Sequence, residues 1–146
     1  MSRVKLTLPD QFGFSTEIPV RISDINYGGH LGNDAVLSLA QEARIRFLKH
    51  YGMTEHDAGG VGIIMTDAVV LYRSEAFHGD LLRIDVAVAD LETHGCDIVY
   101  RIIQAGTGKE VARVKTGIVF FDYTSRKVVG VPDRVRSTFT SPTQSG

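Results

Sequence analysis

The chain has 146 residues, 16 basic against 17 acidic side chains for a formal charge of −1, 43% hydrophobic and 23% charged residues, and one cysteine. That length is one domain spanning residues 1–146, with a core expected over about 17–139 and a polar tail at 140–146. The composition excludes intrinsic disorder and collagen-like repeats, and the near-neutral charge advertises no nucleic-acid partner. Cys96 alone makes neither an intrachain disulfide nor a cysteine-based zinc site. No apolar run reaches the ~18–20 residues of a membrane span, and the first ten residues lack an apolar signal core, so a cytoplasmic address is expected.

In chain order, EIPVRI at 17–22 alternates Ile18, Val20 and Ile22 with polar or restricted neighbours, the periodicity of a strand. Pro19 cannot donate to a ladder, which places it at an edge or bulge. A glycine-rich turn with Gly28, Gly29 and Gly32 follows. From Asn33 to Tyr51 the spacing predicts one long helix: Val36, Ala40, Ala43, Phe47 and Tyr51 recur at three- and four-residue steps on one stripe. Asn33 is the expected N-cap, Asp34 suits the first turn, and Gly52 suits the C-terminal cap.

Four strands are then expected, at 61–73, 81–90, 96–104 and 110–123, separated by the turn-rich stretches SEAFHGD, THG and AGTGK. Read in order they suggest a meander. A short helix begins at Pro132, and the tail TSPTQSG is expected to fray. The fold class is therefore α+β, one long helix wrapped by an antiparallel sheet of about five strands.

Most recognisable chemistry is absent. GTGKE at 106–110 is no phosphate loop, because Ile103 and Glu110 stand where Gly and Ser or Thr belong. The five histidines are scattered without ligand spacing, so no metal site is expected. Asp67 inside an apolar run is expected to be hydrogen-bonded or on an exposed edge. Arg73, Arg101, Arg126 and Lys127 suit phosphates chemically but define no site.

One segment stands out: Ser23-Asp24-Ile25-Asn26-Tyr27-Gly28-Gly29-His30-Leu31-Gly32-Asn33. If strand geometry persisted, Asp24 and Asn26 would share the inward face of Ile18, Val20 and Ile22. They would then sit beside glycine amides and a helix N-terminus whose free N–H groups suit a developing oxyanion. The same residues serve equally well as a capped loop, with Asp24 and Asn26 as turn formers and His30 as a surface ring.

The segment RISDINYGGHLGNDAVLSLAQEAR resembles the entry loop and central helix of hotdog-fold acyl-CoA thioesterases of the 4-hydroxybenzoyl-CoA thioesterase type. Residues 70–80 resemble the family's following strand and its turn ending in Gly-Asp, without the proline. Residues 112–122 resemble the penultimate strand, and Val131-Pro132 the entry to the terminal helix. The resemblance covers about 17–139. It implies the hotdog fold, hydrolysis of an acyl-CoA thioester to free acid and CoA without a cofactor, and a homodimer or homotetramer with shared sites.

The departure is Asn26, which stands where the family's second Asp is commonly assigned as catalytic. An amide is no base, so the base is expected to be Asp24 or, as in some relatives, a helix acid such as Glu42. A helical wheel puts Glu42 opposite the Ala40/Ala43/Phe47 stripe. Asn26 and His30 would orient water or the acyl group, and Gly28, Gly29 and Asn33 would bind the substrate. The alternatives are a non-catalytic acyl-CoA-binding protein, or a hotdog dehydratase or hydratase. The last is disfavoured by Leu-Gly after His30, where those enzymes carry Phe-Pro-like text.

Overall fold

The computed structural model describes residues 4–140. Its elements in order are strand β1 (Phe14–Pro19), a 3₁₀ turn (Ile22–Asp24), helix α1 (Asn33–His50), strands β2 (Gly62–Tyr72), β3 (Leu81–Ala89), β4 (Gly95–Gln104), β5 (Glu110–Asp122) and β6 (Lys127–Val129), and helix α2 (Asp133–Thr140). This is the hotdog architecture, α+β, with α1 running across an antiparallel sheet.

The sheet order is β1-β3-β4-β5-β2, and β6 pairs with the far end of β5. Two expectations are corrected here. β2 lies beside β5 rather than β3, so only β3, β4 and β5 form a meander. The sheet also has six strands: Lys127–Val129 pairs with Phe120–Asp122 through a turn of left-handed Arg126, a three-residue strand too short for periodicity to reveal. Pro19 closes the edge strand β1, as its missing donor requires. The tail at 141–146 lies outside the described residues.

Alternation sorts the strand residues. Ile84 and Val86 on β3, Ile98, Tyr100 and Ile102 on β4, and Ala112 and Val114 on β5 all face α1 and are buried. The helix answers with Val36, Ala40, Ala43 and Phe47 on the predicted stripe, together with Leu39 and Leu48. Truncating a residue such as Phe47 to Ala would cost about 3–5 kcal/mol. Phe139 of α2 stacks on Phe47 at 5.5 Å and packs edge-on against Tyr51 at 5.0 Å, so α2 seals the C-terminal end of α1. On the opposite face, the segment before β1 crosses the sheet. Arg113 donates to the Leu6 carbonyl and Arg101 lies over the Phe12 ring, while Leu71, Val99 and Ile103 are buried apart from the main core.

The helix cap differs from expectation. Gly32, not Asn33, is the N-cap, and no side chain caps the helix. At the other end Tyr51 is the C-cap, and Gly52 follows with the positive φ of 74° that glycine tolerates.

Candidate active site at the entry to the helix

The connection from β1 to α1 does not continue as a strand. The chain turns at Ile22–Asp24, so Ile22 is 70% exposed rather than inward, and Asp24 and Asn26 share no face. The physical reason is Arg21. Its backbone N–H donates to Asp24 Oδ2 at 2.9 Å, its Nε to the same oxygen at 3.2 Å, and its Nη2 to Oδ1 at 3.1 Å. A carboxylate three residues downstream satisfies both the backbone donor and the guanidinium, which closes a turn and ends the strand. Burial alone would push the Asp24 carboxyl up; Arg21's hydrogen bonds and charge outweigh it, and the group titrates below the usual carboxylate value.

Asn26 organises the next turn. Its side-chain oxygen accepts from the Gly28 and His30 amides at 2.9 and 3.3 Å, and its backbone N–H donates to the His30 carbonyl at 2.9 Å. Gly29 donates to the Asn26 carbonyl and has a φ of 87°, a conformation that favours glycine. The Gly28 and Gly29 amides expected to polarise a substrate carbonyl are therefore already engaged inside the turn. Asp24 and Asn26 both serve the loop's own geometry, and Tyr27 at its tip is fully exposed.

The turn then docks on the segment after β2. Leu31 donates to the Ala76 carbonyl at 2.7 Å, which fixes His30 beside Glu75 and Phe77. His30 Nε2 is 3.9 Å from Glu75 Oε1, and its ring meets Phe77 edge-on at 6.5 Å. Gly32 donates back to the Asp24 carbonyl at 2.9 Å, so α1 starts directly against the turn. With no side-chain cap, the first-turn amides at Asn33 and Asp34 remain the anion-favouring end of the helix dipole. Tyr72, at the end of β2, donates its hydroxyl to the Asn33 carbonyl at 3.2 Å and ties the edge strand to the same helix start.

Of the predicted residues, the structure brings Asp24, Asn26, Gly28, Gly29, His30 and Asn33 into one compact turn. It leaves Glu42 two turns down the exposed side of α1, ion-paired with Arg46 at 2.9 Å and lining, with Arg21 and Ile18, a groove of about 400 Å³ between β1 and α1. Asp67 is exposed at a bulge of β2, accepting from Thr66 Oγ1. Arg73 faces Glu110 and Arg101 faces Asp85, so neither is free for a phosphate. Cys96 is buried, and that burial, with Asp97 adding to it, pushes its thiol up to about 12.

Sequence reasoning passed over Arg21, Tyr72 and the pairing of His30 with Glu75. Arg21 had a readable signal, a cation three residues before Asp24; the other two depend on which strand the sheet places next to α1.

This geometry meets a family. A family model described as thioesterase-like superfamily matches residues 20–139, and the chain belongs to that superfamily. Among solved structures it is similar to the 1,4-dihydroxy-2-naphthoyl-CoA thioesterase of Synechocystis (TM-score 0.80, 20% identity, covering 89% of this chain and 97% of that one). It is likewise similar to the gentisyl-coenzyme A thioesterase BH1999 (0.75, 16%, 87% and 100%) and to the probable thioesterase YbaW of Escherichia coli (0.73, 24%, 84% and 93%). No curated protein matches the chain in sequence.

Proposed function

We propose that the protein hydrolyses an acyl-CoA thioester to the free acid and CoA, with water as the attacking group and no added cofactor. The observation that carries this reading is the uncapped start of α1 set directly against a turn that presents His30, in a chain of the thioesterase-like superfamily. The thioester carbonyl oxygen faces the Asn33 and Asp34 amides, where each donor aimed at the developing oxyanion is worth about 2.7–4 kcal/mol. His30 takes the proton from water, which attacks the carbonyl carbon; the carbon–sulfur bond breaks and the same proton passes to the CoA sulfur. Asp24 and Asn26 hold the turn that places His30.

A homodimer belongs to the proposal. β2 is an edge strand of eleven residues whose outer side has no strand partner among the described residues, and Met65, Thr66, Asp67 and Ala68 along it are exposed. Two copies paired along β2 would cover this edge and bring a second subunit toward the end of β2 that holds the helix start through Tyr72. Light scattering at micromolar concentration is expected to give at least twice 16.0 kDa. A cytoplasmic address, the compartment expected from the sequence, is part of the same reading and is checked by cell fractionation. Among the described residues no helix is long and apolar enough to cross a membrane.

The test is a panel of aliphatic and aromatic acyl-CoA substrates with detection of the released thiol. Release of CoA above the blank on at least one substrate supports hydrolysis. Tight binding across the panel with no release overturns it in favour of an acyl-CoA-binding protein, the outcome that the amide at position 26 would then explain.

A further inference from the structure

We infer that Glu75 is a positioning residue for His30, holding the imidazole in the tautomer and orientation that proton transfer requires. The inference rests on the proposed hydrolysis and names how its proton-accepting group is set. Three observations carry it. First, Asp24 spends both oxygens on Arg21, and the Asn26 oxygen spends itself on two amides, so neither of these side chains is left to accept from the His30 ring. Second, Glu75 arrives from another segment and faces Nε2 at 3.9 Å. Third, the approach is built by backbone: Leu31 donates to the Ala76 carbonyl at 2.7 Å, pinning the residue after His30 to the residue after Glu75. Phe77 meets the ring edge-on at 6.5 Å.

At 3.9 Å the contact is electrostatic rather than a hydrogen bond, and such contacts can tighten when substrate arrives. A carboxylate facing Nε2 favours the tautomer that carries its proton there. Nδ1 is then the lone-pair nitrogen that accepts a proton from water and returns it to the CoA sulfur. The charged groups around the turn are Glu75 on the facing segment, Asp34 in the first turn of α1, and the Asp24–Arg21 pair behind the backbone. Of these, Glu75 alone lies within 4 Å of the ring nitrogens among the described residues.

The experiment compares wild type, Glu75→Gln and Glu75→Asp by two readouts. The first is the ring ¹⁵N–¹H correlation spectrum of the His30 imidazole at neutral pH. The second is steady-state kinetics on whichever acyl-CoA the wild type hydrolyses. Glu75 is 63% exposed, so neither variant threatens folding. Glu75→Gln is expected to lower the share of the Nε2-protonated tautomer toward that of a free histidine side chain and lower kcat about fivefold at unchanged KM, the scale of an exposed charge pair. Glu75→Asp is expected to recover part of both. An unchanged tautomer ratio or an unchanged kcat in Glu75→Gln overturns the inference. Failure of the wild type on every acyl-CoA overturns the hydrolysis reading instead, and the tautomer ratio still decides whether Glu75 sets the ring.

Discussion

Asp24 and Arg44 are equally hidden, each 6% exposed, yet they are held in opposite ways. Asp24 finds its partner three residues away and makes a turn out of local chain. Arg44, in the middle of α1, reaches Glu55 at 2.6 Å across 11 residues and the Tyr100 hydroxyl at 3.0 Å across 56, and Tyr100 passes the contact on to Thr116 at 2.8 Å. The first cluster exists once a short turn closes. The second exists only when α1, the loop before β2, and strands β4 and β5 are all in place. Charge near the helix start shapes the site, while charge in the middle of the helix shapes the fold.

The largest effect that would break this contrast is at Arg44. Replacing it with Ala leaves the Tyr100 hydroxyl with Thr116 alone and strands the Glu55 carboxylate at a part-buried junction, where breaking a buried pair costs about 3–5 kcal/mol. Because Glu55 is 27% exposed and can turn to water, the lower end is expected, and melting should fall by roughly 10 °C. CoA release per folded molecule should stay near wild type. Loss of activity without loss of stability would mean that the two clusters are one.

His30→Gln makes the opposite prediction. The ring is about one third exposed and packs only on the turn's surroundings, so melting should move by less than about 2 °C. Hydrolysis should fall at least about 100-fold, the lower range for removing a general base. Thermal melts and thiol-release rates on the same two proteins decide between the assignments.

The same contrast explains what could be read from the chain. Periodicity located α1 and the four long strands because Val36, Ala40, Ala43 and Phe47, or Ile98, Tyr100 and Ile102, repeat over several turns or pleats and face one core. It could not say that β2 lies beside β5, since Val69 and Val70 carry no mark of their neighbour and pairing is decided by the whole sheet. In the site, the run from Asp24 to Asn33 was legible as a unit because its residues are adjacent. What each one does was not. Strand phase assigned Asp24 to an inward face, and a single cation, Arg21, pulled the chain into a turn instead. Glu75 was invisible for the reason that hid Arg44's partners: its contact with His30 crosses 45 positions of chain.

A smaller effect sharpens the contrast from within the turn. Asn26→Asp keeps an oxygen for the Gly28 and His30 amides, so the turn and the melting temperature should be retained. It also restores a carboxylate where the resemblance expects one. Hydrolysis should rise, by less than about tenfold, because two amide donors stabilise the anion and blunt it as a base. A fall in rate would show that this turn works only with a neutral side chain at its centre.

The smallest expected effect is a pH dependence of stability carried by Asp24. Its carboxyl titrates lower in the folded chain than in the unfolded one, because Arg21's contacts outweigh the opposing effect of burial. A depressed carboxylate contributes stability that is fully present above the unfolded value of about 3.9 and is lost as pH falls through the lower folded value. Arg21→Ala removes the guanidinium's hydrogen bonds and charge, and leaves the backbone donor at position 21 and the burial that opposes the depression. The variant should therefore melt below wild type at pH 6–7, and the gap should start to narrow as pH drops below about 4 and go on closing through the lower folded value, below which both proteins carry a protonated Asp24. Phe47→Ala serves as the control, since its gap from wild type is a loss of apolar packing with no carboxylate in it and should not close over the same interval. Denaturation curves at half-unit steps from pH 7 to 3 separate the two behaviours. A constant Arg21→Ala gap across that range would mean that the guanidinium stabilises the turn by packing alone, and that the carboxylate of Asp24 is held by its backbone bond to Arg21.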